Sequence, residues 1–549
     1  MATDYASQLL TRRAVSEGGG GPDRIAAQHK KGKLTARERL ALLFDKGTFV
    51  EIGGLRSHRC TDFGMDKVAA PADGVITGSG RIAGRVVYAY AQDFTVLGGS
   101  LGEAHADKIA RVQEEALRNG RPIVGLMDSG GARIQEGVHS LIGFGRIFRN
   151  NTLASGVIPQ ISAIMGPCAG GAVYSPAITD YILMVNGTSN MFITGPDVVK
   201  TVVGEQVTAE SLGGAFVHSS KSGVSQFIAV DDADCIRKIR RLLSYLPDNY
   251  RGTVPVCKTI DKPDRLAEKL DSIIPDDPRK SYDMYTVIHE IVDIGSFFEV
   301  SQGFAQNIIT GYARINGHTV GVIANQPRVG AGCLDINASD KAARFIRCCD
   351  SFGTPLLTLV DVPGFLPGTG QEHGGVIRHG AKLLYAYSEA TVPKITLVTR
   401  KAYGGAFIGM CCCALGADAT FAWPCAEIAV MGAAGAANII FRKEIGAAEN
   451  PAERRAEKIA EYESRFSNPY TAAEAGYIDD VILPRESRLR IVRALEVCEG
   501  KRQRIPEKNT EIFRCDRRLE EGCKELSGVG TRRSVRIPGE GKLRVYAAI

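Results

Sequence analysis

Short, continuous apolar runs recur along the chain, each bounded by glycine, proline or charge. Val86-Val87-Tyr88-Ala89-Tyr90, Pro122-Ile123-Val124-Gly125-Leu126-Met127 and Pro159-Gln160-Ile161-Ser162-Ala163-Ile164 form one series. Val320-Gly321-Val322-Ile323-Ala324, Pro355-Leu356-Leu357-Thr358-Leu359-Val360 and Pro393-Lys394-Ile395-Thr396-Leu397-Val398 form a second. Runs of this length without polar alternation predict strands buried on both faces. The charged stretches Glu103 to Arg118 and Ser339 to Cys349 predict helices between them. Strand, helix and strand at this spacing predict parallel βαβ units with right-handed crossovers. Upstream, Leu34-Thr35-Ala36-Arg37-Glu38-Arg39-Leu40 predicts a helix capped by Thr35.

The two series are in register. Ile76-Thr77-Gly78 and Arg81-Ile82-Ala83-Gly84 meet Ile309-Thr310-Gly311 and Arg314-Ile315-Asn316-Gly317 at an offset of 233. The same offset relates Asp107-Lys108 to Asp340-Lys341 and Asp128 to Asp361. At 234, Ala169-Gly170-Gly171-Ala172 meets Tyr403-Gly404-Gly405-Ala406. A period this long is too great for a solenoid and implies two homologous α/β domains from one tandem duplication. The expected division is a helical lead-in over 1–65 belonging to the first half, domains over 66–250 and 286–508, and a polar, proline-bearing linker over 251–285.

At 549 residues, with 44% hydrophobic and 23% charged residues, the chain can bury large cores, which excludes a disordered or metal-stapled miniprotein class. A formal charge of +6 is small for this length: it gives no argument for nucleic acid and suits an anionic small ligand. Fourteen cysteines follow a start without an apolar leader, so reduced thiols in a cytoplasmic or matrix-like compartment are expected. Paired CxxC spacing is missing, no metal is expected, and the consecutive Cys411, Cys412 and Cys413 read as small apolar fillers. Gly404 to Phe441 is apolar, but Asp418, Pro424, Glu427 and its glycines predict a buried, loop-broken segment rather than a membrane span.

The 62 glycines cluster at strand ends. Four loops stand there: Asp128-Ser129-Gly130-Gly131-Ala132-Arg133, Ala169-Gly170-Gly171-Ala172, Asp361-Val362-Pro363-Gly364-Phe365 and Tyr403-Gly404-Gly405-Ala406. Open α/β sheets bind ligands at the carboxyl ends of parallel strands. Backbone N–H groups from a loop and a helix start can converge there on an oxygen that becomes anionic. Four loops in duplicated register therefore predict two such oxyanion holes per chain. Gly98-Gly99-Ser100-Leu101-Gly102 matches a GxSxG pattern in letters, but its repeat partner Ala331-Gly332-Cys333-Leu334-Asp335 has no serine, which favours a shared turn. No Walker lysine pattern occurs. His373 and His379 read either as acid–base groups or as exposed or capping histidines.

At these loops the chain resembles the carboxyltransferase components of biotin-dependent acyl-CoA carboxylases and decarboxylases. The carrying stretches are Asp128 to Gly137, Met165 to Pro176, Asp361 to Gly368, Arg378 to Lys382, Arg400 to Ala406 and Glu427 to Gly432, and the likeness covers about residues 20 to 508. The resemblance implies two crotonase-like (ClpP/crotonase) domains and a homo-hexameric core, with the first half of one subunit facing the second half of another. It implies that Gly171 and Ala172 form the hole for an acyl-CoA thioester oxygen, and Gly405 and Ala406 the hole for the ureido oxygen of biotin. By the same resemblance, Gly131-Ala132 and Gly364-Phe365 are implied as the opposing donors. The implied reaction moves a carboxyl group between biotin N1 and the α carbon of a short acyl-CoA such as propionyl-CoA or methylmalonyl-CoA. Ile408, two residues past the second Gly-Gly-Ala motif, stands where propionyl-CoA carboxylases of this family have aspartate and is more like the decarboxylase and transcarboxylase branches. No Ala-Met-Lys-Met sequence is present, so the resemblance places biotin on a separate carrier, with a biotin carboxylase or a membrane decarboxylase subunit as further partner.

A plain crotonase-type hydratase or isomerase would need a side-chain acid–base pair in one half and gives no reason for holes in both. A scaffold subunit would not need either Gly-Gly-Ala motif. After Lys508 the likeness stops: Asn509 to Asp516 reads NTEIFRCD, which one restored base would turn into a KHGNIPL ending. Residues 509–549 are expected to be a frameshifted tail.

Overall fold

The protein is described by a computed structural model covering residues 2–277, 280–501 and 503; the 509–549 tail lies outside the described residues. The strands of the first half are β1 (Val50–Glu51), β2 (Val75–Ile82), β3 (Arg85–Gln92), β4 (Ile123–Ser129), β5 (Gln160–Ala169), β6 (Tyr181–Val185), β7 (Asn190–Phe192) and β8 (Phe227–Ala229). Those of the second are β9 (Phe298–Val300), β10 (Ile308–Ile315), β11 (His318–Asn325), β12 (Leu356–Val362), β13 (Lys394–Tyr403), β14 (Ala419–Ala422), β15 (Glu427–Ala429) and β16 (Asp480–Val481). The first sheet runs β1-β2-β3-β4-β5-β6-β8 with β7 on β5; the second runs β9-β10-β11-β12-β13-β14-β16 with β15 on β13. The duplication read from the spacing of glycines is thus a duplication of strand order.

Each sheet is mixed. From β3 to β6 and from β11 to β14 the pairing is parallel, as the apolar runs predict. At the other edge, β2–β3 and β10–β11 are antiparallel hairpins. Their two-residue turns, Ala83-Gly84 and Asn316-Gly317, place both residues at positive φ (50° and 80°; 52° and 80°), which matches the right-handed twist of the flanking strands. The helix Glu103–Arg118 has the predicted bounds, and Ile336–Ser351 extends the predicted Ser339 to Cys349 by a turn at its start. Thr35 caps Ala36–Leu43 through a capping box with Glu38.

The halves share a core. Phe227 stacks on Phe298 at 5.0 Å, Tyr245 on Tyr312 at 5.8 Å, and the Tyr181 and Tyr312 hydroxyls meet at 2.5 Å. Arg344 donates to the carbonyls of Thr179 and Asp180, adding a polar tie across the same seam. Tyr312→Phe is expected to destabilise the protein by about 1–3 kcal/mol, because Tyr181 keeps a buried hydroxyl without its partner. A lowered urea midpoint checks this, and an unchanged one refutes it.

The Gly404 to Phe441 segment is broken into the helix Gly404–Gly409, β14, β15 and the helix Ala433–Ile440. Among the described residues no helix is long and apolar enough to cross a membrane. Cys411 and Cys412 are buried, as fillers would be, whereas Cys413 is exposed. Among the described residues no cysteine is joined in a disulfide.

Candidate active site

The site begins with an irregularity that occurs twice. Where β4 pairs with β5 the register shifts between Met127 and Ser129, and where β12 pairs with β13 it shifts between Val360 and Val362. Asp128 and Asp361 occupy these bulges, and both are buried. Both carboxylates are paired with buried cations at the point where the loops begin. The Asp361 carboxylate accepts from Arg400 Nε at 3.1 Å and from the Lys401 N–H. Burial pushes its pKa up, while Arg400 pulls the other way.

Asp128 is held from elsewhere. Lys33 Nζ at 2.7 Å, Arg39 Nη1 at 2.9 Å and Gln28 Nε2 at 2.9 Å all donate to it, so the N-terminal lead-in clips directly onto the end of β4. Gly166 explains the exchange. It occupies the place of Arg400 in the first half, and a Cβ there would lie 1.9 Å from Asp128 Oδ1. The second half carries its guanidinium on β13; the first half imports one. Arg39 is fully buried; burial opposes its charge, yet Asp128 and Asp232 hold its pKa above the usual value.

The bulges launch the first pair of loops. Ala132 bridges Leu101 in parallel, with Leu101 N–H donating to Gly131 O at 2.9 Å and Arg133 N–H to Leu101 O at 2.9 Å. Phe365 bridges Leu334 in the same way, 233 residues on. Strand alternation turns the Ala132 and Phe365 N–H groups away from those partners, towards the side where β5 and β13 end. Gly131 differs from its neighbour, because its N–H donates to Ser129 Oγ at 3.1 Å. Its φ of 101° favours glycine, and a Cβ there would stand 3.1 Å from Ala169 O, so the two first-half loops touch.

The second pair of loops opens helices. Gly170–Val173 is a 3₁₀ turn at the end of β5, and Gly404–Gly409 a short helix at the end of β13. Gly170 and Gly404 take left-handed φ values of 62° and 57°, which turn the strand into the helix. Gly171, Gly405 and Ala406 therefore stand in first turns where backbone N–H groups have no partner inside the helix, whereas the i→i+3 pattern of the 3₁₀ turn directs the Ala172 N–H back towards the Ala169 carbonyl. A Cβ at Gly405 would meet nothing within 4 Å, whereas one at Gly171 would touch the Phe144 ring at 3.4 Å. Gly405 thus faces open space, while Gly171 faces an aromatic ring.

Few reactive side chains stand beside these amides. Cys168 precedes the first loop, but it is buried and burial pushes its thiol up to about 12. His379 Nδ1 lies 2.7 Å from Asp340, which also takes Lys382 Nζ at 2.8 Å; Arg146 pairs with Asp107 at the matching place in the first half. His379 thus occupies a duplicated ion-pair position, and His373 is exposed. Gly98 and Gly99 form a positive-φ turn matched by Gly330 to Gly332, and Ser100 Oγ accepts from Arg133. Ile408 is 43% exposed on the helix that carries Gly405, and Tyr174 is exposed at the matching place. Among the described residues no group of three or more His, Cys, Asp or Glu side chains could hold a metal ion.

Fold and loops define an α/β protein of two crotonase-like domains in tandem, each presenting first-turn amides at the carboxyl ends of its central strands. The chain belongs to the carboxyl transferase domain family, which matches residues 27–513. It is 60% identical over 490 residues to the methylmalonyl-CoA decarboxylase subunit alpha of Propionigenium modestum, covering 89% of this chain and 95% of that one. It is 58% identical to the propionyl-CoA carboxylase carboxyltransferase subunit of Haloferax mediterranei, over 92% and 98% of the two chains. Among solved structures, a transcarboxylase 12S hexamer assembly crystallised with methylmalonyl-coenzyme A and methylmalonic acid superposes with a TM-score of 0.91. The sequences are 55% identical over 92% of this chain and 97% of that one.

Proposed function

We propose that this protein is a biotin-dependent carboxyltransferase that moves a carboxyl group between carrier-bound biotin and the α carbon of a short acyl-CoA, propionyl-CoA or methylmalonyl-CoA. The observation that carries the reading is the duplicated pair of first-turn amides, Gly171-Ala172 and Gly405-Ala406, at equivalent strand ends. Removing an α proton or an α carboxyl group from a thioester places negative charge on the thioester oxygen. Preformed N–H donors stabilise that charge without reorganising.

In this reading the first domain, 66–250 with its lead-in, takes the acyl-CoA, and Gly171 and Ala172 hold the thioester oxygen. The second domain, 286–508, takes biotin, and Gly405 and Ala406 donate to its ureido oxygen. Biotin supplies the nitrogen that carries the carboxyl group. The absence of any atom near a Cβ at Gly405 suits a carrier-borne ring entering from outside. Ala132, Gly364 and Phe365 are the opposing donors; Gly131, whose N–H is already bonded to Ser129, shapes the turn. Ile408, projecting beside the second hole, selects among acyl groups.

The two holes must face one another for direct transfer. Ile134, Val138, Leu141 and Ile142 are exposed beside the first-half loop, and Leu366, Ile377 and Ile408 beside the second. Apolar surfaces at both sites support a homo-hexamer in which one subunit's first half covers another's second half.

Purified protein given methylmalonyl-CoA and free biotin, without ATP, is expected to release propionyl-CoA only when biotin is present. A folded protein that turns over none of methylmalonyl-, malonyl- or glutaconyl-CoA would refute the reading. The direction in the cell follows from the partner: a biotin carboxylase drives carboxylation, a membrane decarboxylase subunit drives the reverse.

A further inference from the structure

The two halves differ at a point where duplication alone would have kept them alike. β5 ends in Ala169, but at the matching place β13 ends in Tyr403. The Tyr403 ring is buried, and its hydroxyl donates to Glu427 Oε2. Glu427 begins β15, which pairs with the end of β13 through Lys401–Glu427, Ala402–Ile428 and Tyr403–Ala429. The chain beyond β15 then closes around the same spot. A Cβ on Gly404 would lie 2.9 Å from the Val430 carbonyl, and one on Gly432 would lie 3.4 Å from the Tyr403 ring. The turn that aims Gly405 and Ala406 is thus enclosed by β15 and tied to it by one side-chain hydrogen bond.

The first half has no counterpart to this tie. Ala169 carries only a methyl group, and β7 begins with Asn190. A Cβ on Gly170 would come no nearer than 4.0 Å to the Ile193 carbonyl, so the first-half turn is the looser of the two. We propose that Tyr403 and Glu427 are a positioning pair that fixes the Gly405 and Ala406 amides for the second-half substrate, a role that rests on reading those amides as the biotin hole. A hydroxyl donating to a carboxylate is among the stronger hydrogen bonds available to a loop. It also directs a dipole onto a negative charge that would otherwise oppose the anion forming at Gly405. Burial and Glu427 push the Tyr403 phenol far above its usual range, so it remains a donor throughout the working pH range.

The test uses the full chain with methylmalonyl-CoA and free biotin. Tyr403→Phe and Glu427→Ala are each expected to lower kcat/KM for biotin about 10²-fold, the effect of small misplacement of a catalytic group. KM for methylmalonyl-CoA should stay at its wild-type value, and each variant should remain folded at the assay temperature. Glu427→Gln, whose amide oxygen still accepts from the phenol, should recover most of the loss. The Y403F/E427A double variant should be no worse than the weaker single, because one bond is lost in each. Wild-type kinetics in Y403F, an equal loss of methylmalonyl-CoA affinity, or an E427Q as impaired as E427A would each overturn the pair's role. Failure of the underlying reading looks different: wild-type protein without biotin-dependent turnover, or Ala406→Pro with wild-type activity, removes the hole and the pair together.

Discussion

Ala406→Pro is expected to lower biotin-dependent carboxyl transfer by about 10²–10³-fold, the cost of deleting one donor from an oxyanion hole. Ala406 lies in the first turn of Gly404–Gly409, where proline is tolerated because its missing N–H has no helical partner. The substitution therefore removes the donor while leaving the fold. Ala172→Pro should produce a loss of the same order from the other half. The two are separable by substrate. A406P should leave the dissociation constant for methylmalonyl-CoA unchanged, and A172P should leave the KM for biotin unchanged. Full activity in either variant would mean that the corresponding amide carries no charge in the reaction.

Arg39→Met should cost about 3–5 kcal/mol of stability, since it strands buried carboxylates. Arg39 Nε donates to Asp232 at 2.7 Å, Nη1 to Asp128 at 2.9 Å and Nη2 to the Met165 carbonyl at 2.9 Å, all out of solvent. Lys33 would remain on Asp128, but nothing comparable replaces Arg39 at Asp232, one of whose oxygens already lacks a hydrogen-bond partner. The expected result is a markedly lower urea midpoint with the first-half strands exchanging amide protons fastest. Arg400→Met tests the same principle in the second half, where Asp361 would be left with the Lys401 N–H and Tyr282. Equal stability of R39M and wild type would show that the lead-in is not part of the first-half core.

The strands and their duplication were legible because buried parallel strands must be continuous apolar runs and tight turns must recur at the same glycines. The antiparallel hairpins were missed, although Asn316-Gly317 is a strong two-residue turn signal. The strands β5 and β13 run several residues past their apolar segments, to Ala169 and Tyr403, because neighbouring short strands β7 and β15 supply hydrogen bonds there. Periodicity reports burial of side chains, not such late backbone pairing. The loops Gly170-Gly171-Ala172 and Gly404-Gly405-Ala406 were found as candidates from their register alone. That Gly131 has already spent its N–H on Ser129 could be learned only from coordinates.

What the amino-acid sequence determined by itself was local or periodic: strand and helix positions, the Thr35 cap, the twofold repeat and the glycines at strand ends. These follow from steric rules and solvent exclusion acting over a few residues. Tertiary structure decided what depends on distant groups meeting. Arg39 and Lys33 reach Asp128 across 89 and 95 residues, filling the space that Gly166 leaves and that Arg400 fills in the other half. Tyr403 and Glu427, 24 residues apart, come together only because β15 pairs with β13. Charge and hydrogen bonding at close range have no period along a chain, so these contacts leave no pattern to read until the fold has brought them together.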